Sequence, residues 1–146
     1  MVFIYDMNQN QYYEGILQLR NPSKEVINRI KNLIDKRKNV YIAKEEKVKG
    51  GIDFYISDWK YLIDIGNKLK KRFGGEVKTS RKLWGINRQT SRKVYRVILL
   101  LRLPNVKIGE ILEFKGKKIK ILEFRKKISA VDTETGKRML IKYEEI

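Results

Sequence analysis

Residues 51–75, GIDFYISDWKYLIDIGNKLKKRFGG, change their period halfway. Ile52, Phe54 and Ile56 alternate with Asp53 and Tyr55, the two-residue period of a half-buried strand. Beyond Ser57 and Asp58 the apolar positions Tyr61, Leu62, Ile65, Leu69 and Phe73 fall at helical spacing and line up on one face. Ser57 or Asp58 caps that helix and Gly74-Gly75 ends it. One strand followed by one helix is the unit from which the fold is read.

The same unit precedes it. Tyr13 to Arg20 alternates as a strand, with Tyr13, Leu17 and Leu19 on one face. Asn21-Pro22-Ser23 opens a helix whose stripe is Val26, Ile27, Ile30, Leu33 and Ile34. Lys36-Arg37-Lys38 closes it, where cations suit the helix dipole. Asn39 to Lys44 is a short strand with Val40 and Ile42 inward, and Lys49-Gly50-Gly51 turns the chain into the second unit. After the second helix come a strand from Glu76 to Trp84, a polar loop from Gly85 to Ser91, and the longest strand, Lys93 to Leu103. The face of Tyr95, Val97, Leu99, Leu101 and Leu103 is wholly apolar.

Residues 11–104 therefore predict an α+β domain, a mixed sheet with two helices on one face, after a flexible start at 1–10. Helical periodicity stops at Pro104-Asn105, the expected domain boundary. Residues 105–146 read as short strands only: Glu110 to Phe114, Lys117 to Phe124, Ile128 to Asp132 and Arg138 to Tyr143. The turns fall at Lys115-Gly116 and Glu134-Thr135-Gly136, and a small SH3-like or OB-like β-barrel leaning on the first domain is expected.

The 146 residues include 34 Lys+Arg against 17 Asp+Glu, a formal charge of +17, with no histidine and no cysteine. Zinc ribbons, thiol nucleophiles, Ser-His-Asp triads and disulfides are thereby excluded from this segment. The longest apolar run, Val97 to Leu101, is far short of the ~20 residues of a membrane span. The N-terminus also lacks a secretory layout. The expectation is a soluble, cytoplasmic protein, monomeric on its own. An isoelectric point near 10.0 points to an anionic polymer, nucleic acid ahead of a membrane surface. Abundant Lys, Ile and Glu fit a hot-growing organism or a biased genome equally.

The charge is unevenly placed. From Val77 to Lys107 there is no carboxylate, yet the stretch holds Lys78, Arg81, Lys82, Arg88, Arg92, Lys93, Arg96, Arg102 and Lys107. Structural surfaces normally mix signs, so this stretch is the first candidate for RNA contact, with Gln89, Thr90 and Ser91 as hydroxyl and amide partners. A plain solvated basic face is the alternative. Lys115, Lys117, Lys118 and Lys120 with Arg125-Lys126-Lys127 form a second cluster, interspersed with Glu110, Glu113 and Glu123. Trp84 and Tyr55 admit two roles, stacking platforms for unpaired bases or sheet packing, and packing is the commoner one. A metal-dependent nuclease would rest on Glu45, Glu46, Asp53, Asp58 and Asp64. Asp58 is better explained as a cap and Asp64 as a solvent-facing helix residue. Gly50-Gly51 and Gly74-Gly75 lack the spacing of a phosphate loop.

Three segments carry a family resemblance. Tyr12 to Arg20 is similar to the segment that follows the zinc-binding region in the large-ribosomal-subunit export adaptor, the nonsense-mediated-decay-three family. Gly50-Gly51-Ile52-Asp53-Phe54-Tyr55 resembles its second hallmark, and Ser80-Arg81-Lys82-Leu83 a Ser-containing stretch after the second helix. The likeness runs from about residue 12 to residue 140. It implies a ribosomal-protein-like α+β domain joined to one similar to translation factor five-A. It further implies non-enzymatic binding to the large subunit, its rRNA and its proteins during late maturation or export-type quality control. No cofactor is expected in this chain, because the zinc ribbons of the family lie upstream of it. A truncated or fragmentary chain of archaeal type, without the tail of eukaryotic members, is the corresponding expectation. A generic RNA- or tRNA-binding protein is the runner-up.

Overall fold

A computed structural model describes residues 12–146, and the expected start at 1–10 lies outside the described residues. The chain runs β1 (Gly15–Arg20), α1 (Lys24–Asp35), β2 (Ile42–Val48), β3 (Gly51–Ile56), α2 (Trp59–Phe73), β4 (Glu76–Ile86) and β5 (Lys93–Arg102). It continues through β6 (Ile111–Phe114), β7 (Lys117–Phe124), β8 (Ile128–Asp132), β9 (Arg138–Ile141) and a final 3-10 turn at Tyr143–Glu145.

The first five strands form one mixed sheet in the order β2-β3-β1-β5-β4. β1 is parallel to β5 and antiparallel to β3, while β4 pairs antiparallel with β5. Hydrophobicity sets this order. β1 and β5 place Leu17, Leu19, Val97, Leu99 and Leu101 in the core at 0–1% exposure, whereas β2 and β4 are charged and take the edges. Both helices cover the same face, their stripes (Val26, Ile30, Leu62, Ile65) joining Phe54 and Ile56 in one core. Gly66 of α2 lets the helix approach β5, since a Cβ there would lie 2.6 Å from Leu99 Cδ1. Among the described residues the other face carries no helix. It presents Ile16, Gln18 and Arg20 beside Ile98, Leu100 and Arg102.

Several boundaries differ from the sequence reading. Asp58 caps α2, accepting from the Tyr61 amide at 3.0 Å, and Ser57 Oγ instead accepts from the Tyr41 amide at 3.0 Å. The strand expected at Asn39–Lys44 begins at Ile42 and runs on to Val48; Val40 is buried ahead of it. α1 stops at Asp35, before the basic run, with Lys36 as its C-cap. β4 continues through Gly85 and Ile86, past a register shift between Leu83 and Gly85. With 11 residues it is longer than β5, which has 10. The strand read to Tyr143 ends at Ile141.

The last four strands form a second, wholly antiparallel sheet in the order β6-β7-β8-β9. It has its own small core of Ile119, Ile121, Ile128, Ala130, Ile141 and Tyr143. It packs against the end of α2. Gly74, at φ +78° after α2, lies so close to Phe124 that a Cβ would sit 2.9 Å from that residue's Cβ. The connection itself is fastened where Asn21 Nδ2 donates to the Leu103 carbonyl at 3.3 Å, just before Pro104.

Candidate nucleic-acid interface

β1 meets β5 only from Val97 to Arg102, whereas β4 meets it from Lys93 onward. Lys93–Arg96 with residues 82–86 therefore projects beyond β1 as a two-stranded arm, by about 13 Å at strand rise. A hairpin loop, 87–92, closes it. Asn87 orders that loop: its Oδ1 accepts from the amides of Gln89 at 2.9 Å and Thr90 at 3.2 Å, and its own amide donates to the Arg92 carbonyl at 2.8 Å. Ser91 takes a positive φ of 58° within the turn.

The arm is braced at its base on both faces. On the outer face the Arg96 guanidinium lies over the rings of Trp84, 3.9 Å from the centroid, and Tyr13, 4.1 Å. Tyr12 packs against Trp84 at 5.6 Å and donates to Glu14 Oε2 at 2.6 Å. Partial burial and that hydrogen bond push its phenol pKa far up. Glu14 also accepts from the Trp59 amide at 3.0 Å, linking this cluster to the start of α2. On the helix face, Arg81 lies 4.8 Å from the Tyr95 centroid and 5.3 Å from that of Trp59.

Strand alternation thus divides the acid-free stretch. Lys78, Lys82 and Arg96 share the outer face, with Lys82 directly opposite Arg96. Arg81 points the other way, and Arg88 and Arg92 sit in the loop beside Lys93 at the start of β5. Among the described residues none of these seven makes an ion pair, and Arg96 Nε is buried without a hydrogen-bond partner. The second cluster does not converge. Lys117 and Lys118 begin β7, and Arg125, Lys126 and Lys127 follow its far end, about 20 Å away along the strand. Arg125 is also paired with Glu123 at 2.8 Å.

The carboxylates of the nuclease reading are engaged, and only Glu46 and Asp53 are direct cross-strand neighbours. Asp53 is paired with Arg20 at 2.9 Å, Glu45 faces the helices and meets Lys31 at 3.5 Å, and Glu46 accepts from Tyr55 at 3.3 Å. Asp58 is the α2 cap, and Asp64 pairs with Lys68 at 3.4 Å. No group of three or more metal-ligating side chains occurs among the described residues. Tyr55 is packed edge-on against Tyr13 at 4.9 Å, while Trp84 is 45% exposed. Asn87, Tyr12 and Tyr13 escaped the sequence reading of the site. The Asn87 turn had a signal in its Asn-x-x-Thr spacing; the two tyrosines, ahead of β1, had none.

Fold and surface together define a helix-backed mixed sheet with a projecting basic hairpin, followed by a small antiparallel sheet. The family model for the second domain of NMD3 matches residues 12–103, the whole of the first sheet and its helices, and the chain belongs to the NMD3 family. Membership is consistent with a role tied to ribosomal subunits. No curated protein gave a significant sequence match. No helix of the described residues is long and apolar enough to cross a membrane.

Proposed function

We propose that this chain binds the large ribosomal subunit without catalysing a reaction, docking on rRNA during late maturation or quality control. The observation that carries the reading is the arm: a projecting hairpin with no carboxylate from Val77 to Lys107, in a chain of the NMD3 family. In this reading Lys78, Lys82, Arg88, Arg92, Lys93 and Arg96 meet phosphates, each contact releasing counterions. Arg81 serves chiefly to hold the arm against α2. Residues 11–104 and 105–146 act as two domains, the second an SH3-like module whose Lys117, Lys118, Arg125, Lys126 and Lys127 give a separate contact. The protein is a cytoplasmic monomer off the ribosome, and this segment needs no cofactor for binding.

Neutralising Arg88, Arg92 and Lys93 together is expected to flatten the slope of log affinity against log salt by roughly 2–3, at ~0.7–0.9 per phosphate contact. The control neutralises Lys24, Lys36 and Lys38, at the two ends of α1, removing equal charge from another surface. Co-sedimentation with large but not small subunits, lost more by the first triple than by the second, supports the reading. Equal weakening by both triples makes net charge the whole cause. Tighter binding to isolated tRNA than to subunits favours a generic RNA binder.

A further inference from the structure

We propose that the outer face of the arm binds unpaired nucleotides, with the exposed indole of Trp84 as the stacking surface and Arg96 as the fork for an adjoining phosphate. This rests on the RNA-binding reading and specifies the kind of RNA.

A contact made only with phosphates needs cations alone, and this face carries more. Trp84 is 45% exposed and Ile98 41%. Their neighbours across β4 and β5 are Lys82 opposite Arg96, Ser80 opposite Ile98 and Lys78 opposite Leu100. An exposed ring and exposed aliphatic surface thus alternate with cations along one strip. Duplex RNA hides its base faces in the stack and offers side chains mainly phosphate and 2′-hydroxyl, so the indole gains little from it. Unpaired nucleotides present a π face with every base and a charge with every phosphate, which matches ring beside cation. Tyr55 is not equivalent, because it is half-buried, its hydroxyl is bonded to Glu46 and its ring meets Tyr13 edge to face.

Arg96 adds direction. Its guanidinium is held over two rings and makes no ion pair among the described residues; its Nε is buried, which leaves the Nη edge for a phosphate. A guanidinium pre-oriented in this way loses little entropy on meeting a phosphate edge-on. Lysine at the same place keeps the charge and loses the fork.

The test uses the full chain and two fluorescein-labelled RNAs, an unstructured strand of about ten nucleotides and a duplex with the same number of phosphates, at one salt concentration. Trp84→Leu is expected to weaken single-strand binding about tenfold and duplex binding by less than about twofold. Trp84→Phe keeps a ring and most of the affinity. Arg96→Lys lowers single-strand affinity with the salt slope unchanged. In a Trp59→Phe background the remaining indole fluorescence is quenched by the single strand and not by the duplex, a readout independent of any folding defect in Trp84→Leu. Equal loss on both RNAs, or no quenching, overturns the inference even if the Arg88, Arg92 and Lys93 triple still flattens the salt slope, in which case phosphate docking stands alone. Failure of the unaltered chain to bind either RNA overturns both readings.

Discussion

Asp53 is 8% exposed on the sheet face that neither α1 nor α2 covers, and it stays there because Arg20 on the neighbouring strand meets it at 2.9 Å. The same Arg20 Nη1 donates to the Leu19 carbonyl at 2.9 Å, a second contact that holds the guanidinium in place. Removing one member of such a pair leaves the other desolvated and alone. Asp53→Ala is therefore expected to destabilise the chain by about 2–3 kcal/mol, at and below the lower end of the ~3–5 kcal/mol for buried pairs because both groups keep some solvent contact. For a chain of this size that lowers the melting temperature by roughly 5–10 °C. Asp53→Asn should lose less, since its amide oxygen still accepts from Arg20. Neither change should alter RNA integrity in the presence of Mg²⁺; cleavage by the unaltered chain that Asp53→Asn abolishes would return this residue to catalysis.

Turns at the ends of elements depend on single side chains in the same way. Asp132 ends β8 and accepts from the amides of Glu134 at 2.9 Å and Thr135 at 3.4 Å, organising the turn into β9. The Glu134 amide, followed by the amide and hydroxyl of Thr135, holds its carboxyl below the ordinary value of 3.8. A folded pKa below the unfolded one means the group stabilises the fold fully above the ordinary value and loses that contribution as pH falls through the depressed one. Acid titration followed by amide exchange in β8 and β9 should show protection falling below about pH 4. Asp132→Asn, which keeps an acceptor without a charge, should abolish that acid step; an unchanged step would assign it to another carboxylate. Elements of this kind were unequally legible in the sequence. The stripes of Val26 to Ile34 and Tyr61 to Phe73, and the alternation of Val97, Leu99 and Leu101, announced themselves because each has one buried face. β2 beyond Lys44 did not, because at a sheet edge Lys44, Glu45, Glu46 and Lys47 alternate in no apolar sense. Gly85 reads as a loop residue and is instead beside a bulge, where a missing side chain is tolerated. The candidate site was visible as charge and hidden as geometry: parity along β4 parts Arg81 from Lys78 and Lys82, while contact of Arg96 with Tyr13 requires the pairing of β1 with β5.

Across the whole molecule, 34 cations face 17 carboxylates, and several of the carboxylates serve as caps or acceptors rather than as partners for cations. Glu110 accepts from the Lys107 amide at 3.0 Å, and Asp58 and Glu14 from amides of α2. The excess positive charge therefore repels itself in the folded state, most strongly where the arm concentrates it. Raising chloride from ~0.05 to ~0.5 M shortens the screening length several-fold and relieves that repulsion. A relief of about 1 kcal/mol corresponds to a rise in melting temperature of ~2–4 °C. Sodium chloride is the appropriate salt, because sulfate strengthens apolar burial and confounds the reading. By the same argument, neutralising Arg88, Arg92 and Lys93 should hold or raise the melting temperature at low salt, and should shrink its salt-dependent rise. A melting temperature that falls with chloride would mean that exposed pairs such as Lys68 with Asp64 and Lys31 with Glu45 outweigh the repulsion. Such pairs contribute ~0–1 kcal/mol each and are themselves screened, so the rise is the expected outcome.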